Sequence, residues 1–200
     1  MPFQYSIYLQ INLKKKLSNI TKFQSGIYKK PDINADTLYL QSIHFDRLGR
    51  FDKEVSPQLK LDDRLEKYLL KEGDLLFVAK GLNNFAVVYH DKIGNAVASS
   101  SFIVIKINEE YKKVVEPNYI AWFLTHHKHV KMMHKQLGTT IPSISMRQLA
   151  ELEIDIPPIE VQKKIVAIHQ LREKEKEINS LIEEWKDKEF QILLSNATQK

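Results

Sequence analysis

The 200-residue chain has no cysteine, which excludes disulfide cross-links and thiolate-bound zinc. No apolar run approaches the roughly 20 residues that a membrane span needs. The N-terminal residues 1–6 lack the basic start and apolar core of a secretory signal. We therefore expect a cytoplasmic protein with no membrane partner. Glycine is scarce, at six residues, and beyond Pro158 there is neither Gly nor Pro. No repeat and no low-complexity segment is present.

The motifs of several enzyme classes are also missing. There is no Gly-x-Gly-x-x-Gly fingerprint and no phosphate loop of the Gly-x-x-x-x-Gly-Lys-Ser/Thr type. An adenine methyltransferase carries Asn-Pro-Pro-aromatic, but here Pro157-Pro158 stands between Ile156 and Ile159. No cofactor is expected in this chain. His126, His127, His129 and His134 cluster in sequence, yet no His-Glu-x-x-His pattern accompanies them. Helical, partly exposed histidines explain them without a metal. Glu110-Tyr111-Lys112, with Asp91 upstream, matches part of a magnesium-nuclease pattern, but the tripeptide is common and Glu184-Trp185-Lys186 matches equally well.

What is present divides the chain in two. Residues 1–157 hold 22 basic and 17 acidic side chains, whereas residues 158–200 hold eight of each. The net charge of +5 therefore lies wholly in the first part. A surface of that sign suits nucleic-acid phosphates, and equally it is ordinary solubility charge.

The first part reads as a sheet-rich α+β domain. Strands are expected at Tyr5–Ile11, Thr37–Ile43, Leu75–Ala79, Phe85–Tyr89, Ala96–Ala98, Ser101–Ile107 and Leu152–Ile156. Gly73-Asp74 and Asp91–Asn95 supply turn chemistry, and the short-strand spacing suggests a mostly antiparallel sheet or barrel. A short helix is expected within Leu61–Leu70. Another starts at Pro117, carries Ile120, Phe123, Leu124, His127 and Val130 at helical spacing, and stops at Gly138. Ser145-x-x-Gln148 can form a reciprocal cap.

The second part, 158–200, reads as one long helix entered at Pro158 with Glu160 in its first turn. Ile168, Leu171, Ile178, Ile182, Trp185 and Ile192 lie on an apolar stripe that needs a partner, most simply a second helix in a coiled-coil-like pair.

Candidate contacts to nucleic acid follow from chemistry. Lys14, Lys15 and Lys16 concentrate positive charge. In the loop Lys80-Gly81-Leu82-Asn83-Asn84, Lys80 can meet a phosphate, Gly81 permits close approach, and Asn83 or Asn84 can pair with adenine. A plain hairpin loop is the alternative reading. Thr139, Thr140, Ser143 and Arg147 can contact the phosphate backbone, or cap turns and face solvent.

Five ordered motifs resemble the specificity subunit of type I restriction–modification systems. They are Gly73-Asp74-Leu75-Leu76-Phe77, Ala98–Ile105, Tyr119–Leu124, Gly138–Ile144 with its Gly-polar-x-x-Pro loop, and Leu152–Val166 containing Pro157-Pro158, Glu160, Gln162, Lys163 and Ile165. The resemblance implies a target recognition domain over 1–157 that reads one half of a split double-stranded DNA target. It implies a spacer and dimerisation helix over 158–200 that docks DNA adenine methyltransferase subunits, with S-adenosylmethionine on those partners and no catalysis by this chain. A restriction endonuclease subunit can join such a complex. The chain has room for one recognition domain and one helix where the family usually has two of each. A half-length subunit that forms a homodimer is therefore expected, with a palindromic split target. Two alternatives from other classes are a non-DNA oligomerising interaction module and a magnesium-dependent nuclease.

Overall fold

The computed structural model describes residues 13–46, 49–51, 55–81, 83–126, 128, 130 and 143–198. The expected strand Tyr5–Ile11, the stop at Gly138 and the Gly138–Pro142 loop lie outside these residues, as do His127, His129, His134, Thr139 and Thr140.

The architecture is α+β. Strands β1 (Leu13–Lys16), β2 (Thr21–Ser25), β3 (Leu38–Leu40), β4 (Leu75–Val78), β5 (Ala86–Val88), β6 (Ala96–Ala98), β7 (Phe102–Ile107) and β8 (Glu153–Ile156) are joined by four short helices. These are α1 (Leu17–Ile20), α2 (Asp63–Glu66), α3 (Pro117–His126) and α4 (Met146–Ala150), and α5 (Ile159–Thr198) follows. The chain divides into two compact units, Met1–Gln162 and Lys163–Lys200.

The central sheet has the order β2-β7-β4-β5 and is antiparallel throughout. All four residues of β4, Leu75-Leu76-Phe77-Val78, are buried, because strands flank it on both sides and both faces are covered. Strand alternation sorts the side chains. Leu76, Val78, Val87, Phe102 and Val104 pack into one core with Leu38 and Leu40 of β3 and Ala96 and Ala98 of β6. Phe45 closes this core, meeting the Phe102 ring edge-on at 5.9 Å. Near the other end of β5, the Thr125 hydroxyl of α3 accepts the Ala86 N–H at 3.0 Å and donates to the Ala121 carbonyl.

Among the described residues the sheet is antiparallel, as the turn spacing suggests, and open, with β2 and β5 at its two edges. A second layer is the parallel pair β3-β6, with Leu38 opposite Ala96. The third sheet pairs β1 with β8 in antiparallel register, Lys16 opposite Glu153. The strand expected at Thr37–Ile43 is shorter than its β-rich sequence implies. It ends at Leu40, and Ser42–His44 turns as a 3-10 helix. The helix expected within Leu61–Leu70 is a single turn, capped by the Asp62 carboxylate on the Leu65 N–H at 2.8 Å. The cap at Ser145 forms as expected: its Oγ accepts from the Gln148 N–H, and the Gln148 side chain accepts from the Ser145 N–H at 2.9 Å.

Gly73-Asp74 is a structural turn. Gly73 has φ of +84°, which favours glycine. Asp74 is nearly buried, accepts the Lys71 N–H at 3.0 Å and pairs with Lys106 on β7 at 3.3 Å. Burial pushes its carboxyl pKa up.

Helix α5 begins one residue after Pro158, whose carbonyl accepts the Val161 and Gln162 N–H groups. Gln162, fully buried, belongs to the first unit. Its Oε1 accepts the Glu116 N–H at 2.8 Å, and its Nε2 donates to the carbonyls of Val114 at 2.8 Å and Pro157 at 2.7 Å.

In the second unit, pairs such as Lys186–Glu183 and Lys188–Glu184 lie one turn apart. Ile168, Leu171, Ile178, Ile182, Trp185 and Ile192 are all exposed. A helix of 40 residues extends about 60 Å. Among the described residues, no helix is long and apolar enough to cross a membrane.

Candidate nucleic-acid interface

The site is built on one close approach of two backbones. Gly26 follows β2, and a Cβ placed on it would stand 2.0 Å from the Ser99 carbonyl oxygen. Only glycine lets the 26–30 segment lie against the turn between β6 and β7. The Gly26 N–H then donates to the Phe102 carbonyl, and the Ile27 N–H to that of Ala98. The Tyr39 hydroxyl donates to the Ile27 carbonyl at 2.7 Å. Burial raises the pKa of that phenol, so it remains a donor.

This arrangement leaves a groove of about 510 Å³ lined by Tyr28, Lys29, Lys30, Pro31, Tyr39, Gln41, Ser42, Ile43, Lys80 and Ser99–Ser101. The lining contains three lysines and no carboxylate. Lys29, Lys30 and Lys80 are exposed, and Lys29 reaches Asp62 only at 3.8 Å. The Ser99 and Ser101 hydroxyls are linked at 2.7 Å. Tyr28 and Ile43 stand at the rim, 77% and 65% exposed.

Lys80 comes to the groove through long-range pairing. The Ala79 N–H donates to the Ser101 carbonyl, the Ile144 N–H donates to that of Ala79, and Lys80 forms an antiparallel bridge with Ser143. Two of the sequence candidates, Lys80 and Ser143, are thus neighbours although 63 positions separate them. Gly81 has φ of +99°, and a Cβ there would meet nothing within 4 Å. The glycine serves the backbone conformation rather than clearance. Asn83 is exposed, whereas the Asn84 side chain donates to the Val78 carbonyl at 2.7 Å and braces the loop.

The remaining candidates are elsewhere. Lys14 pairs with Glu153 at 2.8 Å and Lys16 with Glu151 at 2.6 Å, while Lys15 donates to the Tyr111 hydroxyl at 2.8 Å. This lysine run is an edge of the β1-β8 sheet supplied with its own counter-ions. Arg147 is exposed on α4. Tyr28, Lys29, Lys30, Gln41 and Ser42 were not singled out by sequence. Gly26 was their available signal, a lone glycine after a β-compatible run.

A second groove of about 480 Å³ contrasts with the first. It contains Lys22, Lys71, Lys106 and Lys112, but also Glu72, Asp74 and Glu109. Lys106 is paired with Asp74 and Lys112 with Glu109, at 2.6 Å. The Lys112 of the nuclease pattern is therefore engaged by a neighbouring carboxylate. Among the described residues, no group of three or more His, Asp or Glu side chains is disposed to hold a metal ion.

Asp36, just before β3, ties that strand to the 60–61 segment. Its carboxylate accepts the Leu61 N–H at 2.8 Å and the Thr37 hydroxyl at 2.8 Å, and pairs with Lys60 at 3.0 Å. The Leu61 N–H, then Lys60 and Thr37, hold its pKa down to about 2. A carboxyl whose folded pKa lies below its ordinary value stabilises the fold above that ordinary value, and the contribution disappears as pH falls toward the folded one. We expect Asp36→Asn to lower Tm at neutral pH. It should also flatten the Tm–pH curve between about pH 4 and about pH 2. Parallel curves for the two proteins would contradict this role.

Residues 51–184 match the family model for the type I restriction modification DNA specificity domain. The chain belongs to that family. It is 27% identical over 135 residues to the Type I restriction enzyme HindI specificity subunit of Haemophilus influenzae, covering 65% of this chain and 28% of the relative. The fold is similar to that of the HsdS subunit from Thermoanaerobacter tengcongensis, with a TM-score of 0.55 at 14% identity over 81% of this chain and 37% of that one. It is also similar to the type I S subunit from M. genitalium, with a TM-score of 0.54 at 15% identity over 87% of this chain and 42% of that one. The chain thus spans well under half the length of these relatives.

Proposed function

We propose that this chain is a cytoplasmic, single-domain specificity subunit that binds one half of a bipartite double-stranded DNA target and docks adenine methyltransferase subunits. The observation that carries the reading is the carboxylate-free groove ringed by Lys29, Lys30 and Lys80. Such a surface attracts phosphates, and the Lys80–Asn83 loop and Ser143 add hydrogen-bonding groups beside it. Recognition is assigned to 1–157 and spacing to 158–200. S-adenosylmethionine belongs to the partner, and a restriction endonuclease subunit can join.

Two copies pair through the exposed stripe of α5, which presents two identical recognition units to a palindromic split target. Isolation of the protein from its source cells at modest salt, followed by mass spectrometry, tests the partner assignment. Stoichiometric adenine methyltransferase is the expected companion, and its absence would remove the docking role. Ile178→Glu with Ile182→Glu should convert a dimer to a monomer in light scattering while leaving the circular-dichroism spectrum of the first unit intact. A persisting dimer would overturn the helix-pairing model.

A further inference from the structure

The groove has a feature that phosphate binding leaves unexplained. Its rim carries an aromatic ring and an aliphatic side chain, Tyr28 and Ile43, largely open to solvent beside Lys29 and Lys30. Phosphates gain little from such surface, whereas a base face gains from stacking on an aromatic ring. Size narrows the ligand further. A groove of about 510 Å³ falls within the roughly 300–1,000 Å³ of small-ligand pockets, far too small to admit a duplex. It takes something that protrudes from one.

The groove lining also carries polar groups with local partners. Gln41 is tied to His44 in both directions, its N–H donating to His44 Nδ1 at 3.1 Å and its main-chain carbonyl accepting the His44 N–H at 3.0 Å. The linked Ser99 and Ser101 hydroxyls lie at the turn to β7. A base carries both a π face and hydrogen-bonding edges, and its flanking phosphates carry the negative charge that three lysines require.

We propose that the groove receives one unpaired nucleotide of the bound DNA. Tyr28 stacks on its base, and Lys29, Lys30 and Lys80 hold the adjoining phosphates. The proposal rests on the DNA-recognition reading above and adds to it a binding subsite with a ligand class. A base leaves the stack more readily where its pairing partner is missing, so a duplex containing such a base is the direct probe.

The experiment compares two short duplexes of the same random-flank sequence by fluorescence anisotropy at low salt. One is fully paired, and in the other a central base faces an abasic site. The full-length protein should bind the second about ten-fold more tightly. Tyr28→Ala should abolish that preference, so that the two duplexes bind alike. Tyr28→Phe, which keeps the ring, should retain the preference. Equal binding of the two duplexes by the unaltered protein, or a preference that survives Tyr28→Ala, overturns the nucleotide subsite and leaves DNA recognition standing. Failure to bind either duplex overturns DNA recognition itself, and the subsite with it.

Discussion

Replacing Lys29, Lys30 and Lys80 together by glutamine is expected to reduce DNA affinity by roughly 10²–10³-fold near 0.1 M salt. Each lysine that neutralises a phosphate releases a counterion, so loss of three contacts should lower the slope of log K against log salt by about 2.7. All three side chains are exposed, and Lys80 makes its bridge to Ser143 through backbone groups. The variant should therefore keep its Tm and far-ultraviolet circular dichroism. Lys14→Gln with Lys16→Gln supplies the contrast. These ammonium groups already hold Glu153 and Glu151, and exposed pairs of this kind are screened by solvent and contribute little. Affinity should then change little. If the effects were reversed, the interface would have to be moved to the β1-β8 sheet.

The second large effect concerns Gly26. Substitution by alanine drives a methyl group to within 2.0 Å of the Ser99 carbonyl oxygen and 2.8 Å of that of Ala98. Both obstacles are backbone, so no side-chain rotation relieves them. The 26–30 segment must move off the β6-β7 turn. The bonds from Gly26 to Phe102 and from Ile27 to Ala98 must then weaken. We expect a loss of about 3 kcal/mol or more in urea unfolding, at the upper end of overpacking effects. DNA binding should fall even where the protein stays folded, because Tyr28, Lys29 and Lys30 ride on that segment. A variant with normal stability and normal binding would falsify the close-approach account.

Three strands of the central sheet were legible from local chemistry. Gly73-Asp74 and Asp91–Asn95 punctuate short apolar runs, and β4, β5 and β7 of that sheet, with β6 beside it in sequence, appear around them. The cap at Ser145 and the entry at Pro158 were legible for the same reason, since both depend on residues within one turn. Strands β1 and β2 were not. Lys14-Lys15-Lys16 reads as loose surface charge until Glu151 and Glu153 are seen opposite it, more than a hundred positions away. The parallel partnership of β3 with β6 is equally non-local. The groove shows the same division. Lys80 and Ser143 each carry recognisable chemistry, but only the backbone pairing of 79–80 with 143–144 makes them neighbours. Tyr28 and Lys29 gain meaning only from their position against Ser99–Ser101.

Gln162 bears on how units of this kind can be exchanged between chains. The visible seam in the sequence is Pro157-Pro158, where turns give way to uninterrupted helix. The energetic seam lies several residues later, because Gln162 supplies the acceptor for the Glu116 N–H and the donors for the Val114 and Pro157 carbonyls. A graft joined at the prolines would hand these three backbone groups to whatever residue the incoming helix happens to bring. A graft joined after Gln162 carries the first unit together with its own closure.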